Sequence, residues 1–218
     1  MSKRVEGPDG TDGSAVPRDL AENRPGELVR AQAQEIDARS PLLARVLARA
    51  FFIHTDERAF RRGAEGEEAV GSRLRKLDDE WRVLHSVPVG NGDCDIDHVV
   101  IGPCGVFTLN TKNHAGKKVW IHTNSFKVSG YSQPYLPKAR GEGERASRLL
   151  SRACAATVPV QPVIVVIADE ITMKGVPDGV LIASPRKLVR KLTSEPSRLD
   201  AVQVDAIYEQ ARRSTTWR

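Results

Sequence analysis

Asp95-Ile96-Asp97-His98-Val99-Val100-Ile101-Gly102-Pro103 runs directly into Cys104-Gly105-Val106-Phe107-Thr108-Leu109-Asn110-Thr111-Lys112. Two apolar runs flank Gly102-Pro103-Cys104-Gly105, a turn sequence that predicts a hairpin. Residues two apart share one face of a strand. Asp95 and Asp97 are therefore expected to point one way from the first strand, and Asn110 and Lys112 together from the second. Acids and a lysine then meet on one surface, a combination suited to metal-dependent phosphodiester cleavage.

Working outward, a helix is expected over 56–80, with Val70, Leu74 and Leu77 as its buried stripe. Gly63 and Gly66 weaken its first half but let a helix approach a sheet closely. Strands are expected over 81–89, 117–122 and 125–128, and 130–137 reads as a loop with two prolines. A basic amphipathic helix is expected over 138–156, with Ala146, Leu149, Leu150 and Ala153 inward. Val160–Ala168 is an apolar run rich in β-branched residues, as expected for a strand buried on both faces. A short strand over 180–183, a helix opened by Pro185 and a last helix over 201–213 complete the chain. This order predicts an α/β sandwich with a mixed central sheet flanked by helices.

The first forty residues are rich in Gly, Pro and charge and read as a disordered tail. Residues 41–55 follow as an N-terminal helix, with Ser40 as a plausible cap. The main domain is expected over 56–218. Net charge is +5, and because residues 1–40 hold six basic and eight acidic residues, residues 41–218 carry +7. That excess favours a polyanionic partner, though a basic surface without a partner fits charge alone equally. Three cysteines without paired spacing fit a reducing cytoplasm rather than a disulfide framework. The spacing of Cys and His gives no zinc site. No apolar run approaches the roughly 20 residues that span a bilayer, so no integral membrane segment is expected.

The segments Gly63-Ala64-Glu65-Gly66-Glu67, Asp95-Ile96-Asp97-His98 and Gly105-Val106-Phe107-Thr108-Leu109-Asn110-Thr111-Lys112-Asn113-His114-x-Gly116 together resemble the NERD (nuclease-related) domain. That family is assigned to the PD-(D/E)XK, or restriction-endonuclease-like, superfamily. The resemblance covers roughly residues 60–170 and implies a restriction-endonuclease-like fold and DNA hydrolysis with Mg2+ or Mn2+. It makes Asp97 the metal-binding acid, Lys112 the catalytic lysine, Glu67 a helix acid that completes metal binding, and Asp95 a further or alternative ligand. Asn110 stands where the motif carries Asp or Glu. Some Mrr-type restriction endonucleases carry Gln there. An amide is the weaker ligand, so a catalytically weakened or inactive DNA-binding module is the competing expectation.

Each of these residues also has a plainer reading. Asp95 and Asp97 suit the solvated edge of a sheet, Glu67 an exposed helix face, and Lys112 the end of a strand where its stem lies on apolar surface. His98, His114 and Gln133 flank the motifs, with structural roles expected for the histidines. Lys138, Arg140, Arg145, Arg148 and Arg152 recur along one helix, and Arg186, Lys187, Arg190 and Lys191 along the next. Such charges usually solvate a helix face. In a basic chain they also suit phosphate contacts, insensitive to base sequence and sensitive to salt. A third reading makes the Leu42–Phe52 helix a docking element for a partner or an anionic membrane surface.

Overall fold

The computed structural model describes residues 18–27, 53–90 and 94–218. The expected helix over 41–55 lies outside them except for its last three residues, as does most of the expected tail. Within the described residues the molecule is a mixed seven-stranded sheet flanked by helices. Its strands are β1 (Arg82–Val89), β2 (Cys94–Gly102), β3 (Gly105–His122), β4 (Ser125–Val128), β5 (Tyr131–Ser132), β6 (Val160–Met173) and β7 (Leu181–Ala183). The helices are α1 (Ile53–Leu74), α2 (Tyr135–Cys154), α3 (Leu188–Thr193) and α4 (Ala201–Ala211).

The predicted hairpin is β2 and β3, closed by the Gly102–Gly105 pair. Gly102 is required there by close packing. A Cβ on it would stand 2.3 Å from the Trp81 ring, and Trp81 in turn stacks on Phe107. The main departure from the sequence expectation is β3 itself. Strands expected at 105–112 and 117–122 are one 18-residue strand. Its pairing with β6 shifts register between His114 and Lys118. Gly116 there takes φ +82°, and its N–H donates to Asp169 Oδ1 at 2.8 Å. A bulge absorbs the glycine, so the strand bends without ending.

β6 lies parallel to β3 along almost its whole length and pairs with β7 on its other edge. Val163, Val165 and Val166 are fully buried and Ile164 is nearly so, as the β-branched run predicts. α2 makes the crossover into β6. Its buried residues are Leu136, Ala139, Gly143, Ala146 and Leu150. α1 and α3 cover the other face, where Val70, Leu74, Phe107, Leu109 and Leu188 share one core layer. α4 begins with a capping box between Asp200 and Gln203.

Residues 18–27 correct the expectation of a disordered tail over 1–40. Leu20 is 1% exposed and packs with Leu84 and Trp217. Asn23 Nδ2 donates to the Ser86 carbonyl at 2.8 Å, and Asp19 pairs with Arg212. The polar average of the first forty residues conceals a short segment with one apolar anchor and one well-placed amide.

Candidate active site

The site forms where the sheet splits. β2 and β3 pair only from His98–Leu109 to the turn. Beyond that, β2 continues along β1 and β3 continues along β6, and β4 reaches the vacated edge of β3 only at Val119. Backbone groups of β3 in the gap need other partners. Thr111 N–H donates to Asp97 Oδ2 at 2.5 Å, so the carboxylate takes the place of a strand carbonyl at the fork.

A second feature turns Asp97 into this seam. Leu84 and Val87 lie in one core layer, as do Ile96 and Val99, which plain alternation forbids. The pleat is broken once in each strand, between the His85–His98 and Val87–Ile96 pairs. Ser86 there has φ +48°. Simple alternation of Asp95 and Asp97 on one face, expected from their spacing, therefore does not describe this strand. Asp95 instead lines the neighbouring cleft.

Asn110 and Lys112 do point together. Lys112 Nζ donates to Asn110 Oδ1 and also lies 5.2 Å from the centre of the Tyr135 ring, a cation–π contact that steadies the ammonium. The other end of the same amide, Asn110 Nδ2, donates to Glu142 Oε2 at 3.1 Å. Asp95, Asn110, Lys112, Tyr135, Glu142 and Arg145 line one cleft of about 460 Å3.

Glu67 reaches the same region from α1. Gly66 lets the helix touch β3, since a Cβ there would stand 3.2 Å from Thr111 Cγ2 and Asn113 Cβ. Gly63, by contrast, faces open space. Glu67 is 6% exposed, and Gly26 N–H donates to its carboxylate. Gly26 has φ +72°, and an added Cβ would meet the Ala64 Cα at 3.3 Å, so the strap at 18–27 closes directly on α1.

Burial perturbs each acid, and the charges of neighbouring acids add to the effect on Glu67, Asp97 and Glu142. Burial pushes Glu67 up to about 8, and the charges of Asp97 and Asp95 add to it while Lys112 opposes. Burial raises Asp97 to about 6, against the Thr111 hydrogen bond and Lys112. Burial also raises Asp95. Glu142 is raised to about 7, chiefly by burial, with Asn110 opposing and Asp97 reinforcing. These four carboxylates and one ammonium thus share one electrostatic environment. Among the described residues, no three His, Cys, Asp or Glu side chains stand close enough to form a ready-made metal cage. The donor set is nevertheless all oxygen, which suits Mg2+ or Mn2+, and Mg2+ is commonly held by one or two carboxylates with waters completing the shell.

A family model described as the nuclease-related domain, NERD, matches residues 62–167. Residues 62–167 form a NERD domain. NERD domains belong to the PD-(D/E)XK-like nuclease superfamily, and the matched segment contains Glu67, Asp95, Asp97, Asn110, Lys112 and Glu142. An uncharacterized protein of Bacillus anthracis is 42% identical over 81 residues, which are 35% of this chain and 36% of that protein. The chain thus spans about a third of the length of that relative. No solved structure matches the chain.

Around the NERD core the basic residues divide. Lys138 and Arg145 line the cleft with the acids. Arg140 and Arg148 line another depression beside Pro159, and Arg140 Nε donates to the Asp178 carbonyl. Arg152 donates to the carbonyl of Arg218. Lys187 and Arg190 flank a separate hollow with Ile171 and Met173. Gln133 Nε2 points to the Tyr131 carbonyl and is absent from the cleft lining. His98 and His85 share a 2.8 Å contact between Nδ1 atoms. Burial lowers His85 to about 4 and His98 well below its usual value, which favours the neutral form of both. His114 stacks on Tyr135.

Glu142 is the site residue that sequence reasoning missed. A signal for it exists: it lies four residues before buried Ala146 and three after buried Ala139, on the inward stripe of α2. A glutamate on such a stripe requires a partner.

Proposed function

We propose that this chain is a divalent-metal-dependent nuclease that hydrolyses DNA phosphodiesters at the fork between β2 and β3. The observation that carries this reading is the Asp97 carboxylate held by Thr111 N–H, beside a lysine that is itself held in place. Asp97, with Glu67 or Asp95 as a second carboxylate, would hold Mg2+ or Mn2+. Bound there, the cation would offset the charge that develops on the phosphate in the transition state.

The chain's own residues do the rest. Thr111 N–H fixes the direction of Asp97. Asn110 and the Tyr135 ring hold Lys112 at the wall of the cleft, where its ammonium can stabilise negative charge on a phosphate oxygen. Lys138 and Arg145 on the same wall can contact neighbouring phosphates, which positions the strand without reading its bases.

Asn110 favours a second reading. With an amide in the motif's acid position, the domain would bind DNA without cleaving it. Incubating supercoiled plasmid with the purified protein in Mg2+ or Mn2+ separates the two. Conversion to nicked or linear DNA supports the nuclease. Salt-sensitive binding with intact plasmid assigns the chain to the binding module.

A further inference from the structure

We infer that Glu142, on α2, supplies the carboxylate that β3 lacks at Asn110 and joins Asp97 as an oxygen ligand of the divalent cation. The inference rests on the nuclease reading above and deepens it.

Three features point to Glu142. The first is the state of the Asn110 amide. Its oxygen is engaged by Lys112 and its NH2 group by Glu142, so the amide links the two side chains, and its neutral oxygen brings none of the charge that the motif's acid would supply. The second is position. Glu142 shares the cleft wall with Asp95, Asn110 and Lys112. It reaches the cleft because Gly143, the next residue, packs against β6. A Cβ there would stand 3.0 Å from Pro162 Cδ, so α2 lies close over the sheet.

The third is the lack of another role. Among the described residues Glu142 forms no salt bridge, and its hydrogen-bond donor is the neutral Asn110 amide. A largely buried carboxylate whose one hydrogen-bond donor is neutral, with Lys112 and Arg145 acting on it only from beyond ion-pair distance, is costly for the fold. A residue kept only to anchor Asn110 could be a glutamine at lower cost. The electrostatics agree, since Asp97 is close enough to disfavour the ionised form of Glu142, and a shared cation would relieve that repulsion.

The acid of the motif has thus moved from the strand to the facing helix. Both positions meet at the Asn110–Glu142 hydrogen bond, so a negative charge placed at either end serves one cation. This predicts compensation: Asn110→Asp should restore what Glu142→Gln removes.

The test is isothermal titration of Mn2+ into the full chain as wild type, Asp97→Ala, Glu142→Gln and the double variant Asn110→Asp/Glu142→Gln, with circular dichroism to verify folding. Glu142→Gln should weaken Mn2+ binding at least about tenfold, and the double variant should recover to within about threefold of wild type. Wild-type binding by folded Glu142→Gln, alongside loss in Asp97→Ala, would overturn this inference and leave the site reading standing. Weakening without recovery in the double variant would also overturn it, reducing Glu142 to a positioning residue. Absence of Mn2+ binding by wild type, or binding unaffected by Asp97→Ala, would overturn both.

Discussion

Glu142→Gln should make the metal-free protein more stable at pH 8 and change it much less at pH 5. Glutamine keeps the volume, and its Oε1 can accept the Asn110 hydrogen, so packing is preserved. What disappears is the cost of ionising a buried acid. In the folded state Glu142 titrates at about 7, against 4.5 for an unperturbed glutamate. A raised folded-state value means that the folded form holds its proton more tightly than the unfolded form. Wild type therefore loses stability as pH rises from about 4.5 through about 7, and the full penalty is present at pH 8. At 1.36 kcal/mol per pKa unit the shift corresponds to about 3 kcal/mol, and partial solvent screening brings the expected gain nearer ~2 kcal/mol. At pH 5 the same reasoning leaves under about 1 kcal/mol. Urea unfolding in EDTA at the two pH values measures the difference. Equal stability of wild type and variant at pH 8 would refute the placement of Glu142 as a costly buried acid. An equal gain at both pH values would assign the effect to packing. Added Mn2+ should reverse the ranking, because a ligand stabilises the form that binds it.

Other perturbations test the frame around the site. Gly102→Ala places a Cβ 2.3 Å from the Trp81 ring, and denaturant unfolding should show a loss of about 1–3 kcal/mol from overpacking. Asn23→Ala leaves the buried Ser86 carbonyl without its 2.8 Å donor, and the same measurement should show a loss of about 1–3 kcal/mol. Charge removal should discriminate between the two sides of α2. Lys138→Ala and Arg145→Ala, on the cleft wall, should weaken DNA binding and lower its salt dependence by about one charge each. Arg148→Ala and Arg152→Ala, which face elsewhere, should do neither in a fluorescence-anisotropy titration over several salt concentrations.

Much of this fold is legible in the sequence. The hairpin is written in Gly102-Pro103-Cys104-Gly105 between apolar runs, and the buried strand in the apolar run from Val160. What local patterns hide depends on distant partners. Ala115-Gly116 looks like the end of a strand, yet Asp169 on β6 accepts from Gly116 and the strand continues. Ser86 carries no sign of a left-handed backbone, because Asn23, sixty-three residues earlier, bonds to its carbonyl. That break in the pleat turns Asp97 to the fork, which the two-residue spacing to Asp95 cannot show.

The site was legible in its types but not in its membership. Asn110 and Lys112 sit two apart on one strand, so their shared direction follows from a single local prediction, whereas the hairpin places Asp97 nearby without aiming it. Glu142 lies thirty-two residues beyond Asn110, on a helix whose many arginines disguise it as one more solvated charge. The basic residues fail in the opposite sense. A helix rich in arginine reads as a single surface, whereas the 3.6-residue turn distributes Lys138 and Arg145 to the cleft and Arg148 away from it.

Nicking of supercoiled plasmid in Mn2+ by purified wild type, Asp97→Ala and Lys112→Ala, with folding verified for each, bears most directly on the fork between β2 and β3 as a seat of phosphodiester hydrolysis. We expect wild type to nick the plasmid and each variant to be slower by at least about a hundredfold. Nicking by both folded variants at the wild-type rate would show that the chemistry resides elsewhere in the molecule.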